Sequence, residues 1–142
     1  MPQILLVDDN PADVVLMQEA LAGGKRQSCI SNVADGKQAM AFLHRQGPYA
    51  TAPRPDLMIL DLNLPRKDGK TVLTEVKADA KLRTIPIVIF STSRSLVEII
   101  HVYELGANCY VSKPGNLEEY FWTVKSIEEF WFGSASLPRE GT

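Results

Sequence analysis

Three short apolar runs constrain this chain more than any other feature: "ILLV" at 4–7, "LMIL" at 57–60 and "IPIVIF" at 85–90. Each is too short for a core helix and is bounded by turn-forming residues, so each reads as a strand buried on both faces. The stretches between them carry helix signals. Asn10 and Pro11 supply an N-cap and a first-turn proline for "ADVVLMQEALAG", which Gly23 and Gly24 stop. Asp35 caps "GKQAMAFLHRQ", with Gln38 completing a capping box. Further helices are expected from about Lys70 to Asp79, from Arg94 to Gly106, and from Asn116, boxed by Glu119, to Phe132. "SCISNV" (28–33) and "NCYVS" (108–112) read as two more strands, and "GPYATAPRP" as a loop. Five strands alternating with five helices give an α/β fold, a parallel sheet with helices on both faces joined by right-handed crossovers.

The length of 142 residues suits one domain, taken as 1–132, followed by a short tail at 133–142, "GSASLPREGT". With 45% hydrophobic and 23% charged residues the composition is that of a soluble globular chain. A net charge of -2 without any Lys/Arg cluster argues against nucleic acid or an anionic membrane as partner. No apolar run approaches the roughly 20 residues needed to span a bilayer. Cys29 and Cys109 have no CxxC spacing, so a reducing, cytoplasmic setting is expected. His44 and His101 stand alone and are expected on helix surfaces rather than as metal ligands.

In such a sheet the carboxyl ends of all strands lie on one edge, where ligands bind. The residues at those tips are Asp8 and Asp9, then Asp61, then Ser91 and Thr92, then Lys113. Asp61 taken alone reads equally well as a turn residue; the set does not. Two carboxylates about 4 Å apart repel by roughly 4 kcal/mol at an effective dielectric near 20. The cluster therefore takes up protons or a cation. Oxygen ligands at an open edge suit Mg²⁺, and the thiolates or paired histidines that zinc favours are missing. A cation and Lys113 beside a carboxylate nucleophile form a kit for receiving a phosphoryl group.

The chain resembles the receiver domain of two-component response regulators over residues 3–132. The likeness lies in "VDD" at Asp8 and Asp9, "ILDLNLPRKDG" around Asp61, "FSTS" at Ser91 and "YVSKP" at Lys113, in that order. The resemblance implies a CheY-like, flavodoxin-like doubly wound sheet of strand order 2-1-3-4-5. It implies that Asp61 is phosphorylated and that Asp8, Asp9, Asp61 and the Asn63 backbone carbonyl hold Mg²⁺. It makes Lys113 the partner of the phosphoryl group, Ser91 and Thr92 with Tyr110 the switch residues, and the bond before Pro114 cis. Gly115 departs from the bulky apolar residue usual after the Lys-Pro pair, and Thr92 is larger than the small residue many members carry. The stretch "SIEEFWFGSASLP" and the proline-containing loop 48–55 resemble single-domain response regulators that partner phytochrome-type histidine kinases.

Two other functions compete. A haloacid-dehalogenase-like phosphotransferase also uses an Asp nucleophile with Mg²⁺, but needs an acid–base Asp two residues later, where this chain has Asn63. A flavin-binding module needs a phosphate-cradling loop after the first strand, where "DDNPAD" places carboxylates. The expected protein is thus a phosphoacceptor and not an enzyme on a separate substrate.

With no effector domain read after the receiver, output is expected through protein contact. Apolar residues fall all round the helix from Leu96 to Leu105, including Ile100 and Tyr103. On the last helix Leu117, Tyr120, Phe121, Val124, Ile127 and Trp131 share a core face, and Trp122 and Phe130 project away from it. A homodimer through the fourth and fifth helices accounts for both; the alternative is that the tail folds back over these aromatics.

Overall fold

Pairing of the three apolar runs builds the centre of the sheet. The computed structural model describes residues 1–138. In it β1 (Gln3–Val7) lies beside β3 (Leu57–Leu60), and β3 beside β4 (Ile87–Ser91). The edges are β2 (Cys29–Val33) and β5 (Cys109–Ser112), so the order is β2-β1-β3-β4-β5, parallel throughout. Central strands β3 and β4 are buried along their whole length, whereas the edge strands are partly exposed, as their weaker apolar patterns require. β4 starts at Ile87 rather than Ile85, because Pro86 has no N–H and the Ile85 amide donates to Leu82 at 3.0 Å.

Five helices cover the sheet: α1 (Pro11–Ala22), α2 (Gly36–Leu43), α3 (Gly69–Ala78), α4 (Leu96–Glu104) and α5 (Leu117–Glu129). Alternation along the strands splits the core in two. Leu5, Val7, Met58, Leu60, Ile87 and Ile89 face α2, α3 and α4. Ile4, Leu6, Leu57, Ile59, Val88 and Phe90 face α1 and α5. Asn10, Asp35 and Asn116 cap their helices through side-chain oxygens, as their sequence positions imply. Asp68 and Ser95 do the same for α3 and α4, which sets starts at Gly69 and Leu96 in place of Lys70 and Arg94.

The last helix departs from expectation at both ends. Leu117 is 55% exposed rather than core, because it opens α5 at the sheet's rim beside Pro114 and Tyr120. After Glu129 the helix widens into a π turn, Phe130–Ser134, closed by the Ala135 amide on the Phe130 carbonyl at 2.7 Å. This turn takes up Gly133 and Ser134 of the expected tail, whose residues 139–142 lie outside the described residues. Trp131 and Phe132 pack on the core, while Trp122 and Phe130 stay 70% and 54% exposed, so residues 133–138 do not cover them. Among the described residues no helix is long and apolar enough to cross a membrane.

Candidate functional site

Strand register assembles the site. Val7 pairs with Leu60, so the next residues, Asp8 and Asp61, leave neighbouring strands side by side. Ser91 pairs with Ser112, which brings Thr92 and Lys113 to the same edge. The Asp61 amide donates to the Val7 carbonyl at 3.0 Å and the Lys113 amide to the Ser91 carbonyl at 2.8 Å, extending the ladder to the site itself. Behind Asp61 the chain folds back so tightly that a Cβ on Gly69 would collide with the Asp61 carbonyl. That close approach is the physical reason for the glycine ending "LPRKDG".

Carboxylate oxygens of Asp8, Asp9 and Asp61 lie within 4.8 Å of one another. Asp8 is buried, Asp61 half-buried and Asp9 exposed, so the cluster opens to solvent on the Asp9 side. The Lys113 ammonium, itself buried, donates to Asp8 Oδ2 at 3.1 Å and to Asp61 Oδ2 at 2.9 Å. It donates a third bond to Asp13 Oδ2 at 2.9 Å, and the Phe90 ring centroid lies 5.8 Å away. The other oxygens are also held: Asp8 Oδ1 accepts from the Asn10 amide at 2.9 Å and Asp61 Oδ1 from the Asn63 amide at 3.2 Å.

Burial raises the pKa of Asp8, with the nearby Asp61 charge adding to it and the Asn10 amide and Lys113 only partly offsetting it. At Lys113 burial opposes the charge, but the hydrogen bonds to Asp13 and Asp61 and the charges of Asp61 and Asp8 outweigh it, so its pKa is raised. An all-oxygen donor set of three carboxylates fits a hard divalent cation and offers nothing to a soft one.

The other expected residues divide into near and far. Ser91 is fully buried at the tip of β4, its Oγ accepting from the Ser93 amide at 3.4 Å. Thr92 shares a cavity wall with Lys113, Asp13 and Gly115. Tyr110 is tied to this region indirectly, its hydroxyl donating to the Ser93 carbonyl at 2.6 Å. Its amide in turn donates to the Tyr103 hydroxyl on α4 at 3.0 Å. The Lys113–Pro114 bond is not cis, since no cis peptide occurs among the described residues. Trans is the lower-energy isomer of an X–Pro bond, and the site forms here without the alternative. Ile100 and Tyr103 lie away from the site on α4, Trp122 in the middle of α5 and Phe130 in the π turn that follows it.

Sequence reasoning missed Asp13, Phe90 and Tyr120. Asp13 looks like an ordinary first-turn acid, and nothing local ties it to a lysine 100 positions later. Tyr120, whose hydroxyl donates to the Asp13 carbonyl at 3.3 Å, reads as core. Burial and the Asp13 charge raise its pKa.

A doubly wound sheet of this order with an acidic cluster and a buried lysine at its strand tips defines the receiver class of phosphoacceptor domains. The sequence pattern of the response regulator receiver domain matches residues 4–125, and the chain belongs to that family. It is 46% identical to Response regulator Rcp1 of Synechocystis sp. (strain ATCC 27184 / PCC 6803 / Kazusa), the match covering 95% of this chain and 92% of Rcp1. The crystal structure of the phosphorylated cyanobacterial phytochrome response regulator RcpA superposes with a TM-score of 0.93 at 51% identity, covering 97% of this chain and 99% of RcpA. The Mn²⁺-bound form of Rcp1 gives a TM-score of 0.93 at 45% identity, covering 98% and 100% of the two chains. The protein is thus a response regulator related to those of phytochrome signalling. The dehalogenase-like alternative finds no support in these relatives.

Proposed function

We propose that this protein takes a phosphoryl group onto Asp61 from a sensor histidine kinase of the phytochrome type and passes the signal on by protein contact. The observation that carries the reading is the meeting of Asp8, Asp9 and Asp61 within 4.8 Å with the Lys113 ammonium 2.9 Å from Asp61. In the transfer an Asp61 oxygen bonds to phosphorus as the P–N bond to the kinase imidazole breaks. The electron pair leaves with the ring nitrogen, which takes up a proton, and Asp61 becomes an acyl phosphate. Asp8, Asp9, Asp61 and the Asn63 carbonyl are assigned to Mg²⁺, which when bound neutralises charge on the transferring oxygens. Rcp1, which has a Mn²⁺-bound form, supports a divalent ion here, as phosphorylated RcpA supports the acceptor role.

Lys113 offsets the charge of the acyl phosphate, and the Ser91 hydroxyl binds one of its oxygens. Thr92, in the wall of the cavity it shares with Lys113, limits water access and so hydrolysis. The domain gains and loses the group by its own chemistry and acts on no separate substrate. Tyr110 relays the state of the Ser91–Ser93 segment to α4 through its bonds to Ser93 and Tyr103. The partner surface is the apolar skin around edge strand β5, where a second copy docks through α4 and α5. Ile100 and Tyr103 are each 48% exposed there, and Trp122 and Phe130 more so.

Incubation with a radiolabelled phosphoryl-histidine kinase and Mg²⁺ tests the acceptor assignment. Wild type is expected to take up label and Asp61→Asn none, because the amide is near-isosteric but a poor nucleophile. Undiminished labelling of the folded variant overturns the assignment.

A further inference from the structure

We infer that Asp13 is a positioning residue of the Asp61 site: it competes with the phosphoryl group for the Lys113 ammonium and so limits how readily Asp61 gains and keeps that group. The inference rests on Asp61 being the acceptor. An ammonium has three N–H donors, and Lys113 directs one to each of Asp8, Asp13 and Asp61, at 3.1, 2.9 and 2.9 Å. With its side chain only 6% exposed, Lys113 has no spare donor for an arriving phosphoryl oxygen. One carboxylate has to yield. Asp8 and Asp61 are each pinned from the other oxygen by a backbone amide, of Asn10 and Asn63, whereas the Asp13 carboxylate has Lys113 as its hydrogen-bond partner and is 25% exposed.

The bland account of Asp13 is a helix cap. It stands three residues after the N-cap Asn10, where an acid turns back to accept from the N-cap amide. That amide donates to Asp8 Oδ1 instead, at 2.9 Å, and the Asp13 carboxylate faces Lys113. Asp13 also stands apart from the three carboxylates that cluster for a cation. Its carboxylate therefore engages the ammonium rather than the cation cluster. Phosphorylation leaves Asp61 with about one more negative charge than before, and Asp13 resists that change twice, by repulsion and by holding a donor the phosphate needs.

The test uses the full chain with Mg²⁺ and acetyl phosphate, from which an Asp61 oxygen takes the phosphoryl group as the P–O bond breaks and acetate leaves with the electron pair. Intact mass follows the gain and, after donor removal, the loss of the group in wild type, Asp61→Asn, Asp13→Asn, Asp13→Ala and Asp13→Glu. Asp13→Asn and Asp13→Ala are expected to load faster and to decay more slowly by roughly three- to tenfold, the size of one partly exposed charge. Asp13→Glu, which keeps the carboxylate, is expected to return toward wild-type rates. Rates of Asp13→Asn equal to or below wild type overturn the inference, the latter meaning that Asp13 merely holds the lysine in place. If wild type fails to load, or Asp61→Asn loads equally, the acceptor assignment itself falls and takes this inference with it. Independently of loading, the Lys113 ammonium NMR signal of the metal-free protein is expected to exchange faster with water in Asp13→Asn; an unchanged signal argues against the shared donor.

Discussion

At Lys113 one ammonium offsets carboxylates from three different segments, and the pH dependence of that balance has a definite sign. Its raised pKa means that the stabilisation is complete below the ordinary lysine value of about 10.4 and is lost only as pH rises through the higher folded value. Asp8 works the other way. Burial makes the folded state hold its proton more tightly than the unfolded chain does, so Asp8 costs stability above its folded pKa, and that cost disappears as pH falls through the raised range. Lys113→Ala leaves the carboxylates without their cation. It is expected to cost about 3–5 kcal/mol at neutral pH without metal, the size found when one member of a buried pair is removed. Part of the loss should return as pH falls and Asp8, whose pKa burial raises, takes up its proton. Urea denaturation in a chelator at neutral and mildly acid pH checks this; a loss that is the same at both means the variant acts through packing alone.

At the scale of elements, capping decides where each helix begins and hence where each loop delivers its residues. Asp68 accepts from both the amide and the hydroxyl of Thr71 at 2.9 Å, ending the tight loop that starts at Asp61. The Thr71 amide bond lowers its pKa, more than slight desolvation raises it. Its stabilisation is therefore present above the unfolded value of 3.8 and is lost as pH falls through the lower folded value. Asp68→Ala is expected to cost about 1 kcal/mol at neutral pH, with the difference from wild type shrinking below that range; denaturation midpoints across pH measure it. Neither Asp68 nor Ser95 stands out in the sequence, because a polar loop offers several candidate caps and only the fold selects one. Asn10 was legible because Pro11 follows it, and Asp35 because Gln38 completes its box.

Over the whole molecule, two cores on opposite faces of one sheet leave the β5 edge between α4 and α5 flanked by exposed apolar side chains. Val102 is buried in one core and Tyr120 in the other, so the two helices flank the edge strand from opposite sides. Leu96, Val97, Ile100 and Tyr103 on α4 and Trp122 and Phe130 on the last helix remain exposed. An interface of ordinary size buries about 800 Å² per partner and takes most of its energy from a few aromatic anchors. Trp122→Glu is expected to shift the protein toward monomer by placing an unpaired charge at such an anchor. Sedimentation over a concentration series, with and without a phosphoryl mimic, checks it. A wild type that stays monomeric at high micromolar concentration in both states removes the dimer reading.

The sequence by itself determined the alternation of elements and the polar residue at each strand tip. Period-2 burial and an open sheet edge leave Asp8, Asp9, Asp61, Ser91 and Lys113 nowhere else to go. Tertiary structure alone decided the rest. Asp13 meets Lys113 only because α1 starts and β5 ends at one edge, a proximity that no local pattern encodes. Tyr103 reaches the Tyr110 amide only because α4 packs beside the edge strand. The angular positions of Phe130, Trp131 and Phe132 depend on a π turn whose wider winding a 3.6-residue period does not anticipate. Local chemistry set the residues at each tip, and long-range packing set which of them share the Lys113 ammonium or a surface.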